Sequence, residues 1–238
     1  MNYLNTRPLL YGIERSSFLS EMELVGDYPA NVAKALLENK IDIGLVPVAI
    51  IPQLSEYHLY TDYGIGCNGN VATVCIFSDV PISEVESVIL DYQSRTSVQL
   101  AQVLLKEFYK VSPRIVAATD NFQENIKGTT AAVLIGDRCF EQAKLSKYTY
   151  DLGEAWKIHT GLPFLFAAWI ANKPIPEDFI ARFNEANKMG LNHIEEIVSD
   201  LKYEGYDLLE YYTNNIDYRV DEFKLQALNL FLSKMKQL

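Results

Sequence analysis

Long apolar runs and a basic surface are both missing from this sequence of 238 residues. No run reaches the roughly 18 to 20 apolar residues that a membrane-spanning helix needs. The first residues do not have the basic-then-apolar pattern of a secretory signal. The formal net charge is −10, and the lysine and arginine residues are scattered instead of forming the stripe that nucleic-acid binding needs. We therefore expect a cytoplasmic protein that binds neither nucleic acid nor membranes.

Motifs for metals, nucleotides and nucleophilic catalysis are also missing. The three cysteines and three histidines form no CxxC, HxH or HxxxH pattern, so we expect reduced thiols and no metal site. No glycine-rich phosphate loop begins a helix after a predicted strand, and no GxSxG motif indicates a serine nucleophile. We therefore expect that any chemistry proceeds without a metal or a cofactor.

Strand and helix patterns alternate along the chain, and this alternation predicts an α/β fold. β-branched and apolar runs predict the strands. Apolar residues at helical spacing, following a proline or a hydroxyl residue, predict the helices. The predicted strands cover residues 41–51, 68–78, 86–92, 114–118, 131–137 and 161–171, and the predicted helices cover 28–40, begin at Ser94 and Pro176, and end the chain from Tyr218.

The order of these patterns predicts two α/β lobes. Residues 81–164 form a second lobe, inserted into a discontinuous first lobe that consists of residues 1–80 and 165–238. A chain that passes twice between two lobes leaves a cleft, and clefts between domains are frequent ligand sites. We therefore expect a small-molecule ligand between the lobes.

The stretch SRTS, Ser94 to Ser97, follows a predicted strand and begins a predicted helix. The N–H groups at a helix start attract anions, and hydroxyl groups add further donors. Ser94, Arg95, Thr96 and Ser97 are therefore candidates for binding a carboxylate. The same residues also suit plain helix capping by Ser94 or Thr96, and their spacing alone does not separate the two interpretations.

The opening YLNTRP contains many hydrogen-bonding side chains. The amide of Asn5 donates and accepts, the hydroxyl of Thr6 donates, and the guanidinium of Arg7 can pair with both oxygens of a carboxylate. Together with Asn2, these residues indicate a segment that lines a ligand cleft. Asparagine, threonine and proline are also ordinary turn residues, so a simple turn is the alternative interpretation.

Two later stretches contain further candidate residues. IGD puts Gly136 and Asp137 where α/β proteins place ligand loops, although Asp137 also suits a helix cap. DLGEAWKIHTGLPF contains Asp151 and Glu154, which are candidates either for proton transfer or for surface ion pairs. A Gly–Leu–Pro turn at residues 161–163 follows them.

Five stretches resemble the MqnA family of chorismate dehydratases in content and in order. They are YLNTRPL, DIGLVPV, SRTS, IGD and DLGEAWKIHTGLPFLFAAWI, and they extend over most of the chain. The last stretch is the most specific. The Ser–Pro–Cys–Pro–Asn–Asp stretch typical of the sister dihydroxynaphthoate synthases is absent. The resemblance implies a periplasmic-binding-protein type 2 fold that acts as an enzyme of menaquinone biosynthesis by the futalosine route.

The resemblance also implies a reaction and a set of residues. The reaction is that of a carbon–oxygen lyase, which converts chorismate into 3-[(1-carboxyvinyl)oxy]benzoate and water. The implied catalytic residues are Asn5 and Thr73, where the family often has serine at the second position. The proton acceptor is open between the enolpyruvyl carboxylate of the substrate and a carboxylate of Asp137, Asp151 or Glu154. The implied substrate-binding residues are Thr6, Arg7, Ser94, Arg95, Thr96, Ser97, Asp137, Gly161, Leu162, Pro163 and Phe164.

Two alternative functions and, besides Thr73, a second departure from the family accompany this interpretation. The alternatives are a non-catalytic organic-acid-binding module of the same fold and the sister 1,4-dihydroxy-6-naphthoate synthase. The departure is that family members usually have an apolar strand before YLNT, whereas this sequence starts almost on that motif. Loss of that strand would remove a central element of a sheet.

Overall fold

The computed structural model describes residues 3–91 and 94–238. Asn2 and Tyr92, which belong to predicted segments, lie outside the described residues. The helices are α1 (Arg7–Glu14), α2 (Pro29–Leu37), α3 (Arg95–Glu107), α4 (Arg138–Leu145), α5 (Leu152–Thr160), α6 (Glu177–Leu191), α7 (Ile194–Leu201), α8 (Leu208–Glu210) and α9 (Glu222–Met235). The strands are β1 (Ile43–Pro47), β2 (Tyr63–Cys67), β3 (Val74–Ser78), β4 (Ser87–Leu90), β5 (Arg114–Ala117), β6 (Thr130–Ile135), β7 (Tyr148–Asp151), β8 (Phe164–Ala171) and β9 (Asp217–Arg219).

The chain divides into two compact units. The first unit consists of Met1–Gly66 and Leu165–Asp221, and the second consists of Cys67–Phe164 and Glu222–Leu238. The sheets follow the same division, because one has four strands in the order β1-β8-β2-β9 and the other has five in the order β5-β4-β6-β3-β7. Each unit therefore combines one sheet with its own helices.

The apolar run predicted as a core strand forms β8 of the first unit. It is antiparallel to β1, with Ile43 opposite Ala171 and Pro47 opposite Ala167. Seven of its eight residues are buried, which explains why the run contains no alternating polar positions. Trp169 on this strand packs against Phe183 of α6 with ring centroids 4.9 Å apart.

Helices α1 and α6 of the first unit approach each other at two glycines. A Cβ atom added to Gly12 would lie 1.7 Å from the carbonyl oxygen of Ala186, and one added to Gly190 would lie 1.7 Å from that of Pro8. Real side chains do not fit at such distances. The two helices therefore touch through their backbones, and this contact holds the start of α1 in place.

Replacing Gly190 with alanine should lower the free energy of unfolding by about 3 kcal/mol, because the new methyl group forces α1 and α6 apart. The matched control is Gly26→Ala, since a Cβ atom at Gly26 meets nothing within 4 Å. Urea unfolding of both variants measures the difference. Equal stability of the two variants would contradict the backbone contact.

The five-stranded sheet of the second unit mixes strand directions. β4 runs parallel to both β5 and β6, whereas β3 is antiparallel to β6 and β7. One face of this sheet packs against Cys139 of α4 through an apolar cluster that includes Cys75, Phe77 and Leu134. The alternating positions Ile76 and Val133 are also fully buried, as expected for a sheet covered on both faces.

The last helix, α9, belongs to the second unit, whereas the sequence placed residues 165–238 together in the first lobe. Phe231 of α9 packs edge-to-face against Phe164 at 5.1 Å and against Trp156 at 6.3 Å. Lys234 forms an ion pair with Glu107 of α3. Helical spacing predicts that a helix forms, but it does not identify the apolar surface against which that helix packs.

Several predicted elements are shorter than expected. The strand predicted over 41–51 is limited to Ile43–Pro47, and the last helix begins at Glu222, because Tyr218 lies on β9. The strand predicted over 68–78 is limited to Val74–Ser78, because the backbone before it forms a loop. The helix predicted from Pro176 is divided at Asn192 and His193, where α6 ends and α7 begins.

All three cysteines are free and buried. Within residues 3–91 and 94–238, no helix is long and apolar enough to cross a membrane.

Candidate functional site

The ends of four strands meet at one edge of the second unit's sheet. Because β3 is antiparallel to β6 and β7, its amino end lies beside their carboxyl ends, with Val74 opposite Ile135 and Cys75 opposite Asp151. The carboxyl end of β4 lies on the same side, since β4 is parallel to β6. Helices α3, α4 and α5 begin within a few residues of these strand ends. We call this edge, with its three helix starts, the helix-start edge.

Ser94 caps α3 at the helix-start edge. Its hydroxyl oxygen accepts the backbone N–H of Ser97 at 3.1 Å and donates to the Ser97 hydroxyl at 2.8 Å. Thr96 and Ser97 are almost fully buried, and Arg95 is half-buried. The capping interpretation of SRTS therefore holds in the structure. It is compatible with anion binding, because a neutral cap leaves the positive end of the helix dipole uncompensated.

The other two helices of the helix-start edge have aspartates at their cap positions. Asp137 precedes α4, and Asp151 precedes α5 and accepts the backbone N–H of Glu154 at 2.9 Å. A carboxylate at a helix start already balances the dipole. Among the three starts, α3 with its neutral serine cap is therefore the most favourable place for the carboxylate of a ligand.

A buried ion pair joins the end of β4 to the start of α4. The side chain of Asp91 is completely buried, whereas Arg138 is about one-third exposed and forms the ion pair with it. The guanidinium also lies 5.8 Å from the ring centre of Phe122. The sequence analysis missed this pair. A signal was present, since Asp91 is a charged residue near the end of the strand predicted over 86–92, but nothing in the sequence indicates its partner 47 residues away.

The carboxylate of Asp151 holds the loop before β3. It accepts the backbone N–H groups of Val71 at 3.1 Å and of Ala72 at 2.7 Å, in addition to that of Glu154. Two successive N–H groups form a concave anion site of the kind called a nest. Burial raises the pKa of the Asp151 carboxyl above its usual range, although these N–H groups act in the opposite direction. Glu154 itself is exposed.

Thr73 lies in the same loop and is 1% exposed. Its hydroxyl donates to the carbonyl of Val71 at 3.4 Å, and its own carbonyl accepts the N–H of Gly136 at 2.9 Å. Gly136 has a φ of +70°, a conformation that glycine adopts without strain. Thr73 therefore links the loop before β3 to the turn that carries Asp137.

The turn at residues 161–163 lies at the opposite end of α5 from Asp151. This helix has nine residues, so the two ends are about 13 Å apart. His159 near its end lies 3.3 Å from Glu107 at the end of α3, so both helices run away from the helix-start edge. Phe164 is 1% exposed and packs into the core. The structure does not bring Gly161, Leu162, Pro163 or Phe164 together with Ser94.

The opening residues of the first unit form a turn that leads into α1. Leu4–Thr6 is a 3-10 helix, and the hydroxyl of Thr6 donates to the carbonyl of Tyr3 at 2.8 Å. Arg7 is exposed in the first turn of α1, whereas Asn5 is half-buried. Within the described residues, the side-chain amide of Asn5 has no hydrogen-bond partner. Thr6 therefore stabilises the turn, and Asn5 presents an amide that is available to a ligand.

A pocket of about 790 Å³ lies within the first unit, and Tyr3 and Thr6 line part of it. Its charged lining comprises five carboxylates (Glu21, Glu23, Asp27, Asp42 and Asp178) and three cations (Lys40, Lys173 and Arg182). Each of these cations already forms an ion pair with a carboxylate, at 2.5 to 2.7 Å. An anionic ligand would meet an excess of negative charge here, so the helix-start edge is the better candidate site for an anion.

Across residues 3–91 and 94–238, no three or more His, Cys, Asp and Glu side chains lie close enough together to hold a metal ion. The helix-start edge presents hydroxyl groups, backbone N–H groups and charged side chains that are already paired. Such a set is suited to binding and orienting an organic anion.

Similarity to solved structures concerns the fold. Protein AF1704 from Archaeoglobus fulgidus matches with a TM-score of 0.71 and 14% identity, over 99% of this chain and 94% of that one. An ABC transporter protein from Parabacteroides distasonis matches with a TM-score of 0.62 and 15% identity, over 96% and 88%. The α/β fold of the periplasmic-binding-protein type, predicted from the sequence, is confirmed.

Similarity in sequence concerns the family. The chain is 25% identical over 243 residues to the chorismate dehydratase of Thermus thermophilus, which corresponds to 92% of this chain and 88% of that protein. The family described as menaquinone biosynthesis matches residues 1–237. With almost the whole chain covered, the protein belongs to the menaquinone biosynthesis family.

Proposed function

We propose that this protein is a chorismate dehydratase, an enzyme that converts chorismate into 3-[(1-carboxyvinyl)oxy]benzoate and water. The observation that carries the proposal is the neutral serine cap at the start of α3, which belongs to the helix-start edge. Chorismate has two carboxylates, and this start is a favourable place for one of them. The similarity to the chorismate dehydratase of Thermus thermophilus supports the same substrate.

The proposed reaction removes one proton and one hydroxide from the ring. The proton leaves C3, the hydroxyl leaves C4, and the two combine as water while the ring becomes aromatic. Aromatisation provides the driving force. The protein therefore has to orient the substrate, exclude unproductive poses and assist the leaving hydroxyl.

We assign proton abstraction to the enolpyruvyl carboxylate of the substrate. Among the protein carboxylates considered, Asp151 is engaged by three backbone N–H groups, and Glu154 is exposed to water. Asp137 remains the protein alternative, since it is half-buried at the helix-start edge. A base supplied by the substrate also accounts for a site that is built mainly from hydrogen-bond donors.

The two catalytic residues implied by the family resemblance have different surroundings. The amide of Asn5 has no partner within the described residues, so we assign it to polarising the leaving hydroxyl or holding the enolpyruvyl carboxylate. Thr73 is buried and joined by its carbonyl to Gly136. We therefore assign Thr73 a positioning role, in which it fixes the turn that carries Asp137.

A charge change at the cap of α3 tests the assignment of the substrate carboxylate. Ser94→Asp and Ser94→Asn both retain a good helix cap, but only the first adds a negative charge. We expect KM for chorismate to be about tenfold higher in Ser94→Asp than in Ser94→Asn, because the new carboxylate repels that of the substrate. Steady-state kinetics of the two variants measures this difference. Equal KM values would remove the start of α3 from the binding site.

The proposed function is separated from its rivals by a product panel. The purified protein is incubated in parallel with chorismate and with cyclic dehypoxanthine futalosine, and the products are analysed by liquid chromatography with mass detection. Loss of one water from chorismate, above the protein-free control, supports the dehydratase. Conversion of the second compound alone identifies the sister naphthoate synthase. Chorismate that binds in calorimetry but is recovered unchanged identifies a binding module.

A further inference from the structure

Two buried tyrosines hold the turn that carries Asn5. The hydroxyl of Tyr212 donates to the carbonyl of Leu4 at 3.0 Å, and that of Tyr218 donates to the carbonyl of Asn5 at 2.9 Å. Two successive carbonyls of one turn are thus bound by side chains that lie more than 200 residues later in the chain. All of these residues belong to the first unit.

The segment that supplies these tyrosines has unusual local structure. Tyr212 lies in a π-helical turn, Tyr211–Asn215, and Tyr218 lies on the short strand β9 immediately after it. π-helical turns are rare and are found preferentially at functional sites. Both phenols are buried, at 1% and 5% exposure. Burial also raises the pKa of the Tyr218 phenol well above its ordinary value, so this hydroxyl remains a hydrogen-bond donor at any physiological pH.

We propose that Tyr212 and Tyr218 are positioning residues for Asn5, an inference that rests on the proposed function. The turn Leu4–Thr6 sets the direction of the Asn5 side chain, because within the described residues no side-chain hydrogen bond holds its amide. One phenol fixes the carbonyl before the Cα atom of Asn5, and the other fixes the carbonyl after it. They thereby fix the backbone from which the amide projects toward the substrate.

A role in general stability does not by itself account for this arrangement. The start of α1 is already held by the backbone contact between Pro8 and Gly190. The turn is also closed by the bond from Thr6 to Tyr3. Removing one phenol hydroxyl should therefore leave the fold intact. Only the Leu4–Thr6 backbone should become free to change its orientation.

A double-mutant cycle tests the inference. In the otherwise unchanged protein, Tyr218→Phe should lower kcat by about tenfold with little change in KM, because a misplaced catalytic group loses much of its effect. In the Asn5→Ala background, the same change should have almost no further effect, since there is no amide left to orient. Tyr212→Phe is a second, independent variant. The matched control is Tyr11→Phe, whose hydroxyl bonds to Glu196 on the surface.

Two results would overturn the inference. One is an unchanged kcat in both phenylalanine variants, and the other is an equal loss of kcat with and without Asn5. A protein that never turns over chorismate would instead contradict the proposed function. For that case, the side-chain NH₂ resonance of Asn5 in a ¹⁵N–¹H spectrum provides a separate measurement. Tyr218→Phe should shift or broaden it and Tyr11→Phe should not, and an unshifted resonance would refute the positioning role.

Discussion

Replacing Asn5 with alanine should lower kcat for chorismate by about 100-fold or more, the usual effect of removing one preorganised hydrogen-bond donor from an active site. The fold should remain intact, since the backbone carbonyl of Asn5, and not its side chain, accepts the bond from Tyr218. The loss should therefore appear in kcat with little change in thermal stability. Steady-state kinetics and a melting curve on the same preparation measure both quantities.

The matched control for this change is Asn31→Ala. Asn31 lies in α2, and its amide bonds only to the exposed carboxylate of Asp27 among the interactions described. We expect its kcat to equal that of the unchanged protein. If Asn5→Ala and Asn31→Ala turned over chorismate equally fast, Asn5 would have no part in the reaction.

Replacing Asp151 with alanine should lower the free energy of unfolding by about 3 kcal/mol, because three backbone N–H groups in a buried region lose their acceptor. The donors belong to Val71, Ala72 and Glu154. Without the carboxylate, the loop before β3 and the first turn of α5 are both released. Urea unfolding, followed by far-ultraviolet circular dichroism, measures the loss.

Asp151→Asn separates the structural role of this residue from a role as a base. Its amide oxygen still accepts hydrogen bonds, so the loss of stability should be about half that of the alanine variant. An amide cannot accept a proton at neutral pH. If our assignment is correct, Asp151→Asn retains most of its turnover under conditions in which it is folded. A folded but inactive Asp151→Asn would identify Asp151 as the base.

The parts of the site that sequence analysis predicted depend on short-range patterns. The SRTS stretch predicts both the start of α3 and its cap, since the donor and the acceptor are Ser94 and Ser97. The motif IGD likewise predicts a turn before a helix, and the structure has α4 there. Interactions within three or four residues can be inferred from spacing, because the helix itself sets their geometry.

The parts that sequence analysis missed depend on contacts between distant residues. Asp151 binds a loop 80 residues earlier, and Tyr218 binds a carbonyl 213 residues earlier. The membership of α9 in the second unit depends in the same way on the packing of Phe231 against Phe164. Residue types indicate that these side chains need partners, but only the folded chain determines which partners they have.

The central claim is tested most directly by proton NMR of chorismate mixed with the purified protein, without added metal or nucleotide. We predict that the signals of the cyclohexadiene ring disappear at a rate proportional to protein concentration. The aromatic signals of 3-[(1-carboxyvinyl)oxy]benzoate should appear in equal amount. Chorismate that decays no faster than in the protein-free control, in the presence of protein shown to be folded, would contradict the account.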